Sequence, residues 1–183
     1  PEAVVLTVTD NCDAPVVVYA EESTQNADQN NAAHYNYTIT RTWTSTDVTG
    51  NFTISTQVIT VIDKTSPVFV ETLPVDLTVE CDSVPEAVVL TVTDNCDAPV
   101  VVPTEVRTNG SSANNYTLTR TWIATDVAGN SVSHSQEVTV QDTTSPVFVE
   151  TLPGNITVEC SSVPDAVVLT VTDNCDAPVV VPT

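Results

Sequence analysis

The sequence predicts an all-β fold of tandem β-sandwiches, and three observations carry that prediction. Of 183 residues, 35 are Val and 31 are Thr, β-branched types that favour a pleated, half-buried backbone. Apolar and polar residues alternate with a period of two over long stretches, as half-buried strands do. The chain also repeats itself, which indicates an array of similar modules.

The repeat is visible as an 18-residue segment. Residues 1–18 (PEAVVLTVTDNCDAPVVV) recur unchanged at 85–102, and a third copy at 164–181 differs only at Asp165. The copies begin at positions 1, 85 and 164, so the first period is slightly longer than the second. The extra residues of the first period fall in residues 20–34 (AEESTQNADQNNAAH), which predicts a tolerant surface loop there.

Repeat boundaries are expected at two linker-like stretches, from Asp63 to Pro67 and from Asp142 to Pro146. Each proline fixes φ, removes a hydrogen-bond donor and biases the preceding residue toward extended backbone. We therefore expect an incomplete repeat at 1–62 that lacks its first strands, a complete repeat at 63–141, and the N-terminal half of a further repeat at 142–183. The odd ends indicate a window cut from a longer covalent chain.

Within residues 63–141 the pattern predicts six or seven strands. Tyr116 to Asp126 alternates strictly, with Leu118 and Trp122 on one face, and a turn-forming cluster at 126–130 leads into a second strand, so the pair predicts a hairpin. Shorter strands are expected at Val68 to Val70, Leu77 to Glu80, Val88 to Thr93 and Val100 to Val106. So many short strands within one repeat are typical of an immunoglobulin-like sandwich.

Two aromatic residues are the expected centres of the core. Trp122 and its equivalent Trp43 would supply much of the apolar area among Val, Leu and Ile. Arg120 and Arg41 lie on the same inward faces, two residues before each Trp. An arginine there could recognise a ligand together with the Trp, or it could stack on an aromatic ring or pair with a carboxylate inside the fold. The structural alternative is favoured because the residue recurs in register.

Charge and hydropathy exclude several partners. The chain has 24 acidic and 4 basic residues, a net charge of -20, so nucleic acid and anionic membrane surfaces are not expected as partners. Its apolar runs are far shorter than the roughly 20 residues of a membrane-spanning helix. No membrane insertion is therefore expected.

The order of motifs in each period resembles one known family. D-x-T-S-P-V-F is followed by L-P-x-x-x-T-V-E-C, T-D-N-C, R-T-W-x-x-T-D-V-x-G-N and a closing V-x-V. This order resembles the hyalin-repeat (HYR) module, an immunoglobulin-like extracellular domain. It is most similar to the tandem copies of very large Bacteroidetes cell-surface adhesins, such as the flavobacterial gliding-motility adhesin filament. The resemblance implies an adhesion-related cell-surface setting and an elongated, rod-like array.

Cysteine spacing predicts one disulfide inside each repeat. Cys81 and Cys96 lie 15 positions apart, and Cys160 and Cys175 repeat that spacing, which predicts the pairs Cys81–Cys96 and Cys160–Cys175. The partner of Cys12 is then expected outside the given sequence, three residues before its start. A second disulfide per repeat is not expected, because Val48 and Val127 stand at a turn where some relatives carry another cysteine. Reduced cysteines and a zinc site are the weaker alternatives, since no four-ligand set is present.

Catalysis is not expected. The two histidines, His34 and His134, occupy non-equivalent positions of the repeat, and the sequence contains no nucleophile elbow, zinc-protease motif or phosphate-binding glycine loop. The chain is therefore predicted not to be an enzyme.

Calcium is the one cofactor for which the sequence offers candidate ligands. Hard oxygen ligands recur in the loops at Asp94, Asn95, Asp126, Asn130 and Asp142. Asp and Asn also populate turns because their side chains hydrogen-bond the nearby backbone, and this explanation is favoured. Calcium binding is thus the minor alternative.

The predicted function is a structural stalk in a large repetitive cell-surface adhesin filament. It would project a binding tip or transmit force in surface adhesion or gliding, with neighbouring repeats as its main partners and outer-membrane attachment as its expected location. The alternative is that the repeats themselves bind a glycan or protein, such as surface polysaccharide or a host or substrate surface, either with or without calcium. A third hypothesis is strand donation from 142–183 of one chain to 1–62 of the next. The 18-residue overlap argues against it, because a clean donor would end near Val163.

Overall fold

The computed structural model describes residues 2–181 and is all-β, as predicted. A single short 3-10 helix, Ala32–His34, interrupts the strands of this described region. No helix in it is long and apolar enough to cross a membrane. The strands are β1 (Val16–Ser23), β2 (Tyr37–Thr46), β3 (Phe52–Val61), β4 (Val68–Phe69), β5 (Leu77–Glu80), β6 (Val92–Thr93), β7 (Val101–Ser112), β8 (Asn115–Thr125), β9 (Ser131–Gln141), β10 (Val147–Phe148) and β11 (Val171–Thr172).

The first sheet has the order β1-β2-β3, with both pairs antiparallel. β1 continues through Ser23, which pairs with Ile39, so the surface loop expected at 20–34 begins four residues later than predicted. The reason is that residues 20–23 find hydrogen-bonding partners along β2. The remaining loop folds around the 3-10 helix, where the Asn31 side chain accepts a hydrogen bond from the Ala33 amide at 2.9 Å.

Residues 63–141 contain six strands, in agreement with the predicted number. Four of them form a sheet of order β5-β9-β8-β7, and the other two pair as β4-β6. The expected hairpin is confirmed, since β8 and β9 are neighbours joined by the turn at 126–130. The strand expected from Val88 shortens to β6, whereas the one expected from Val100 lengthens to β7. These sheets are consistent with an immunoglobulin-like sandwich.

One strand runs against the general antiparallel arrangement. β5 pairs in parallel with β9, so that Leu77 lies opposite Val138 and Glu80 lies opposite Gln141. A parallel neighbour must enter by a crossover connection and not by a tight turn, and here β6, β7 and β8 lie between the two strands in the chain. The C-terminal ends of both strands therefore lie side by side at the same end of the sheet.

The core follows the predicted alternation of β8. Leu118, Arg120, Trp122 and Ala124 are buried on one face, and Trp122 is 1% exposed. Its indole N–H donates to the Val88 carbonyl at 3.0 Å. On these neighbouring strands Leu118 packs with Val138 and Val140 and with half-buried residues that include Leu77, Val79, Cys81, Val84 and Tyr116.

The inward arginines are paired with carboxylates, one of the two structural alternatives. The Arg120 Nε donates to Glu105 at 2.7 Å, and its NH2 donates to the Pro85 carbonyl at 2.6 Å. Arg41 forms the equivalent pair with Glu21 at 2.8 Å. A buried guanidinium requires such partners, so this position serves packing.

By residue contacts the chain forms two compact units. Among the described residues, one unit contains those up to Glu71 together with Leu90–Val102 and Ile123–Ser133. The other contains Thr72–Val89, Pro103–Trp122 and the described residues from His134 onward. In the second unit the β10-β11 pair is held by Thr170, whose amide and hydroxyl donate to the Glu150 carboxylate at 2.7 and 2.6 Å.

Truncation of Trp122 should destabilise the fold far more than truncation of its neighbour. Trp122→Ala is expected to lower the free energy of unfolding by about 3–5 kcal/mol, because it removes a fully buried indole. The control is Ile123→Ala on the opposite face of β8, where the side chain is 44% exposed, with an expected loss below about 1 kcal/mol. Urea unfolding followed by circular dichroism measures both, and equal losses would contradict the assigned faces.

Candidate functional site

The structure forms a disulfide between Cys81 and Cys175, with the two Cα atoms 5.8 Å apart. This corrects the predicted pairs Cys81–Cys96 and Cys160–Cys175. Cys12, Cys96 and Cys160 are free and exposed. Both cysteines belong to the second compact unit, and the bond crosses the repeat boundary that the sequence predicts at Asp142.

The parallel strand explains why the predicted pairing is wrong. Cys81 directly follows β5 and therefore lies beside the C-terminal end of β9. The chain passes from β9 directly into the linker at Asp142. Pairing of β10 with β11 then brings the loop of Cys175 back to the same linker. Cys81 therefore meets Cys175, a partner 94 positions away, which spacing within one repeat cannot indicate.

Polar contacts surround this disulfide. The amide and the hydroxyl of Thr143 both donate to the Glu80 carboxylate, the amide at 3.1 Å. The Asp142 amide donates to the Asn115 side chain at 3.0 Å. The carboxylate oxygens of Glu80 and Asp142 and the disulfide sulfur of Cys175 lie within 4.8 Å of one another. The end of β5, the linker and the cysteine loop thus form one site, which we call the strand-end site.

A second cluster stands one repeat earlier in the sequence. Asp63, Asp94 and Cys96 bring potential ligand atoms within 4.8 Å of one another, and Asp63 and Cys96 are the repeat equivalents of Asp142 and Cys175. The Asp63 amide donates to the Asn36 side chain at 2.9 Å, just as Asp142 uses Asn115. Desolvation and the nearby carboxylates, Asp63 foremost, raise the pKa of the Cys96 thiol.

The linker prolines differ in burial. Pro67 is fully buried, whereas its equivalent Pro146 is exposed. The backbone carbonyl of Asp63 accepts a 3.3 Å hydrogen bond from the Asn130 side chain, and its carboxylate accepts one from the Thr65 amide at 3.1 Å. The Asp63 linker is therefore fixed by several contacts at once.

The five calcium candidates lie in different local arrangements. Asp126 and Asn130 share a turn in which the Asp126 carboxylate accepts from the Gly129 and Asn130 amides at 2.6 and 2.7 Å and from the Asn130 side chain at 2.8 Å. Gly129 has a φ of 101°, a value that favours glycine. These contacts give Asp126 the turn-forming role that the sequence also predicted.

The remaining candidates lie beside cysteines. Asp94 accepts from the Cys96 amide at 2.9 Å, while its second carboxylate oxygen is buried without a hydrogen bond. The Asn95 side chain contacts the Cys96 sulfur at 2.9 Å, and Asp142 lies in the strand-end site. Calcium binding at these residues stays a prediction.

Residues 69–140 match the family model described as an HYR-like domain with 4 cysteines. The matched stretch contains two cysteines, Cys81 and Cys96, so this HYR-like repeat departs from the four-cysteine pattern. No curated protein matches the chain. HYR-like repeats are extracellular, adhesion-type modules without enzymatic activity, and the match supports such a repeat here.

The residues that hold the linkers were missed from the sequence alone. Asn36 and Asn115 stand one period apart and make the same contact to the following linker aspartate. Glu80, directly before Cys81, holds Thr143. The signal available was recurrence in register, since Asn36 and Asn115 each begin an N-Y-T motif, and Glu80 recurs as Glu159 before Cys160.

Removal of the disulfide should cost considerable stability. For a loop of this length the chain-entropy model gives about 3–5 kcal/mol, so Cys81→Ser with Cys175→Ser is expected to lower the free energy of unfolding by that amount. The matched control is Cys12→Ser with Cys160→Ser, two free thiols whose removal should change stability by less than about 0.5 kcal/mol. Denaturant titration under oxidising conditions distinguishes them. Equal effects of the two double variants would refute the pairing.

Asp47 is the repeat equivalent of Asp126 and lies in the same kind of turn. Its carboxylate should make the free energy of unfolding depend on pH in the acid range. Hydrogen bonds, first from the Asn51 side chain, hold the pKa of Asp47 at about 2, below its ordinary 3.8. As pH falls, the Asp47 carboxylate is protonated in the unfolded chain before it is protonated in the folded chain. Its contribution to the free energy of unfolding is therefore complete above the ordinary pKa and disappears as pH falls toward 2.

We therefore expect wild type to lose more stability than Asp47→Asn between pH 4 and 2, the interval set by that shift. Urea unfolding at stepped pH measures the difference. Asp165→Asn, which removes an exposed carboxylate, is the control and should follow wild type. A constant difference between wild type and Asp47→Asn across this interval would show that the turn does not hold the Asp47 carboxylate in its charged form.

Proposed function

We propose that this chain is a force-transmitting stalk segment of a large, repetitive cell-surface adhesin filament. The Cys81–Cys175 bond carries the proposal, since it crosses the repeat boundary predicted at Asp142. Tension that enters along the backbone before Cys81 would pass through the sulfurs to Cys175. The residues between the two cysteines, which include β8, β9 and the linker at Asp142, would be shielded from extension.

Several properties of the chain support a mechanical role. Near-identical repeats lengthen a protein without creating a distinct binding site in each copy. A net charge of -20 makes neighbouring fibres repel and discourages pairing of their sheet edges. The proline linkers lack Gly-Ser flexibility, which favours a semi-rigid array. The proposed setting is the outside of the cell envelope, where the stalk holds a binding tip away from the surface or transmits force during movement.

Single-molecule stretching tests this function. When the oxidised chain is pulled from its two ends, residues 82–174 should not contribute to the final length. Adding a reductant should release these residues and lengthen the chain by roughly 300–340 Å, at about 3.3–3.6 Å per residue. The Cys81→Ser, Cys175→Ser double variant is the control and should reach the longer extension with or without reductant.

The same experiment can contradict the proposal. Reduction of two bridges with the 15-residue spacing would add only about 50 Å each, and the load would then pass through β8 and β9. A reductant that changed nothing would show that no bond shields these strands.

A further inference from the structure

The strand-end site brings together more potential metal ligands than the sequence of either repeat contains by itself. Cys81 and Cys175 are bonded there, so their sulfurs are adjacent. Carboxylate oxygens of Glu80 and Asp142 lie within 4.8 Å of each other and of the Cys175 sulfur. Two sulfurs and two carboxylates are four ligands, the number that a structural zinc site requires. Their members come from both sides of the repeat boundary predicted at Asp142, which is why spacing within one repeat showed no such set.

The distances in this site suit one small tetrahedral ion. Two sulfurs that share a zinc ion, at a bond length of about 2.3 Å, lie about 3.8 Å apart, and a sulfur and an oxygen ligand lie about 3.6 Å apart. After the S–S bond breaks, the two sulfurs need to separate by about 1.7 Å. The carboxylate oxygens need to approach the Cys175 sulfur by at most about 1.2 Å. Rotation of side chains covers such shifts without displacing β5 or β9.

The two carboxylates are held in position by neighbouring groups. The amide and the hydroxyl of Thr143 donate to the Glu80 carboxylate. One Asp142 oxygen accepts from the Thr144 amide at 3.2 Å, and the Asp142 amide donates to Asn115. A carboxylate oxygen has more than one lone pair, so these hydrogen bonds leave room for a metal bond. Contacts of this kind orient the ligands of metal sites.

Backbone pairing holds the two cysteines close together independently of the S–S bond. The parallel pairing of β5 with β9 extends to Glu80, the residue before Cys81. Cys81 also packs against the buried cluster of Leu118 with Val138 and Val140. Pairing of β10 with β11 places the loop of Cys175 beside the linker. The two thiols of a reduced chain therefore remain near each other.

A buried carboxylate oxygen without a hydrogen bond lies beside the cysteine. Asp173 accepts from the Cys175 amide at 2.9 Å with one oxygen, and its other oxygen is buried without a hydrogen-bond partner in the described structure. Its repeat equivalent Asp94 has the same unpartnered oxygen and lies within 4.8 Å of the linker aspartate and the cysteine of its own cluster. Burial of such an oxygen costs free energy, and a cation in the site lowers that cost.

We propose that the reduced strand-end site binds one zinc ion through Cys81, Cys175, Glu80 and Asp142, and that the disulfide form does not bind it. Zinc is the expected metal because thiolates are soft ligands, whereas calcium takes oxygen ligands only. The repeat boundary is then bridged by a disulfide under oxidising conditions and by zinc under reducing conditions. This goes beyond the stalk function and stands whether or not the chain carries force.

Reduction must precede metal binding, and a water-soluble trialkylphosphine supplies the electrons. The phosphine attacks one sulfur, the S–S bond breaks, and water provides the oxygen of the phosphine oxide and the protons of the two thiols. The cysteines thus gain two electrons and two protons, and the phosphine is oxidised. Zinc then displaces the two thiol protons, which pass to the buffer.

The test uses the full chain with its other cysteines removed. Cys12, Cys96 and Cys160 are free and exposed, and all three are replaced by serine to give what we call the three-serine chain. Competition with a chromophoric chelator measures zinc affinity after phosphine reduction and, in parallel, in the oxidised form. The reduced form should bind one zinc ion per chain at least about 100-fold more tightly than the oxidised form. Equal affinity of the two forms would overturn the proposal.

Substitution of the carboxylates distinguishes the folded site from a pair of thiols that bind metal without it. Glu80→Gln and Asp142→Asn in the reduced three-serine chain should each lower zinc affinity by about 10–100-fold. The matched control is Glu159→Gln, which changes the exposed glutamate of the other T-V-E-C segment and should leave the affinity unchanged. Full affinity in both site variants, or an equal loss in the control, would show that these carboxylates are not ligands.

Cobalt(II) in place of zinc reports the ligands by absorption. The reduced three-serine chain should show a thiolate-to-cobalt charge-transfer band and the strong visible bands of a tetrahedral site. Cys81→Ser with Cys175→Ser should abolish the charge-transfer band. Weak visible absorption without charge transfer in the three-serine chain would mean that the thiolates do not bind the metal, which contradicts the proposal.

Urea unfolding gives a readout that depends on the folded site. Zinc should raise the urea midpoint of the reduced three-serine chain because the ion binds the folded form more tightly than the unfolded form. The oxidised three-serine chain is the control, and its midpoint should not change with zinc. A midpoint of the reduced form that ignores zinc, or an equal rise in both forms, would refute zinc binding by the reduced strand-end site.

Discussion

The parallel pairing of β5 with β9 is the constraint on which the rest of the structure depends. It covers Val138 and Val140, which form the buried cluster with Leu118. It also sets Glu80 and Cys81 beside the linker that follows β9. A strand that entered in the opposite direction would place Cys81 at the far end of β9, away from Asp142 and Cys175. One backbone arrangement therefore determines both this buried cluster and the position of the Cys81–Cys175 bond.

Local sequence was sufficient to predict much of the fold. Strict alternation around Leu118 and Trp122 predicted β8 and its buried face, and the cluster at Asp126 predicted the turn to β9. These features depend on neighbouring residues in the chain. The cysteine partners depend on the register of β5 on β9 and on the fold of the following repeat. Equal spacing of cysteines therefore indicated pairs that differ from the Cys81–Cys175 bond of the structure.

The two linkers are held by the same hydrogen bond in each repeat. Asp63 and Asp142 each donate a backbone amide hydrogen bond to an asparagine that recurs in register, and each stands in a cluster with a cysteine. At the Asp142 linker, Glu80 accepts hydrogen bonds from Thr143 and Cys81 is bonded to Cys175. At the Asp63 linker, Asp63 lies beside Asp94 and the thiol of Cys96. The Cys81–Cys175 bond also suits an extracellular adhesion-type repeat, whose setting favours disulfides.

Peptide mapping without reduction decides whether Cys81 is bonded to Cys175. Cleavage after glutamate places Cys81 in the fragment 81–86, Cys96 in 87–105, and Cys160 with Cys175 in 160–183. The structure requires fragment 81–86 to be joined to 160–183, and a further cut before Asp165 should leave the link on the part that contains Cys175. Fragment 81–86 joined to 87–105 would mean that the disulfide closes within one repeat, and successive repeats would then have no covalent link beyond the backbone.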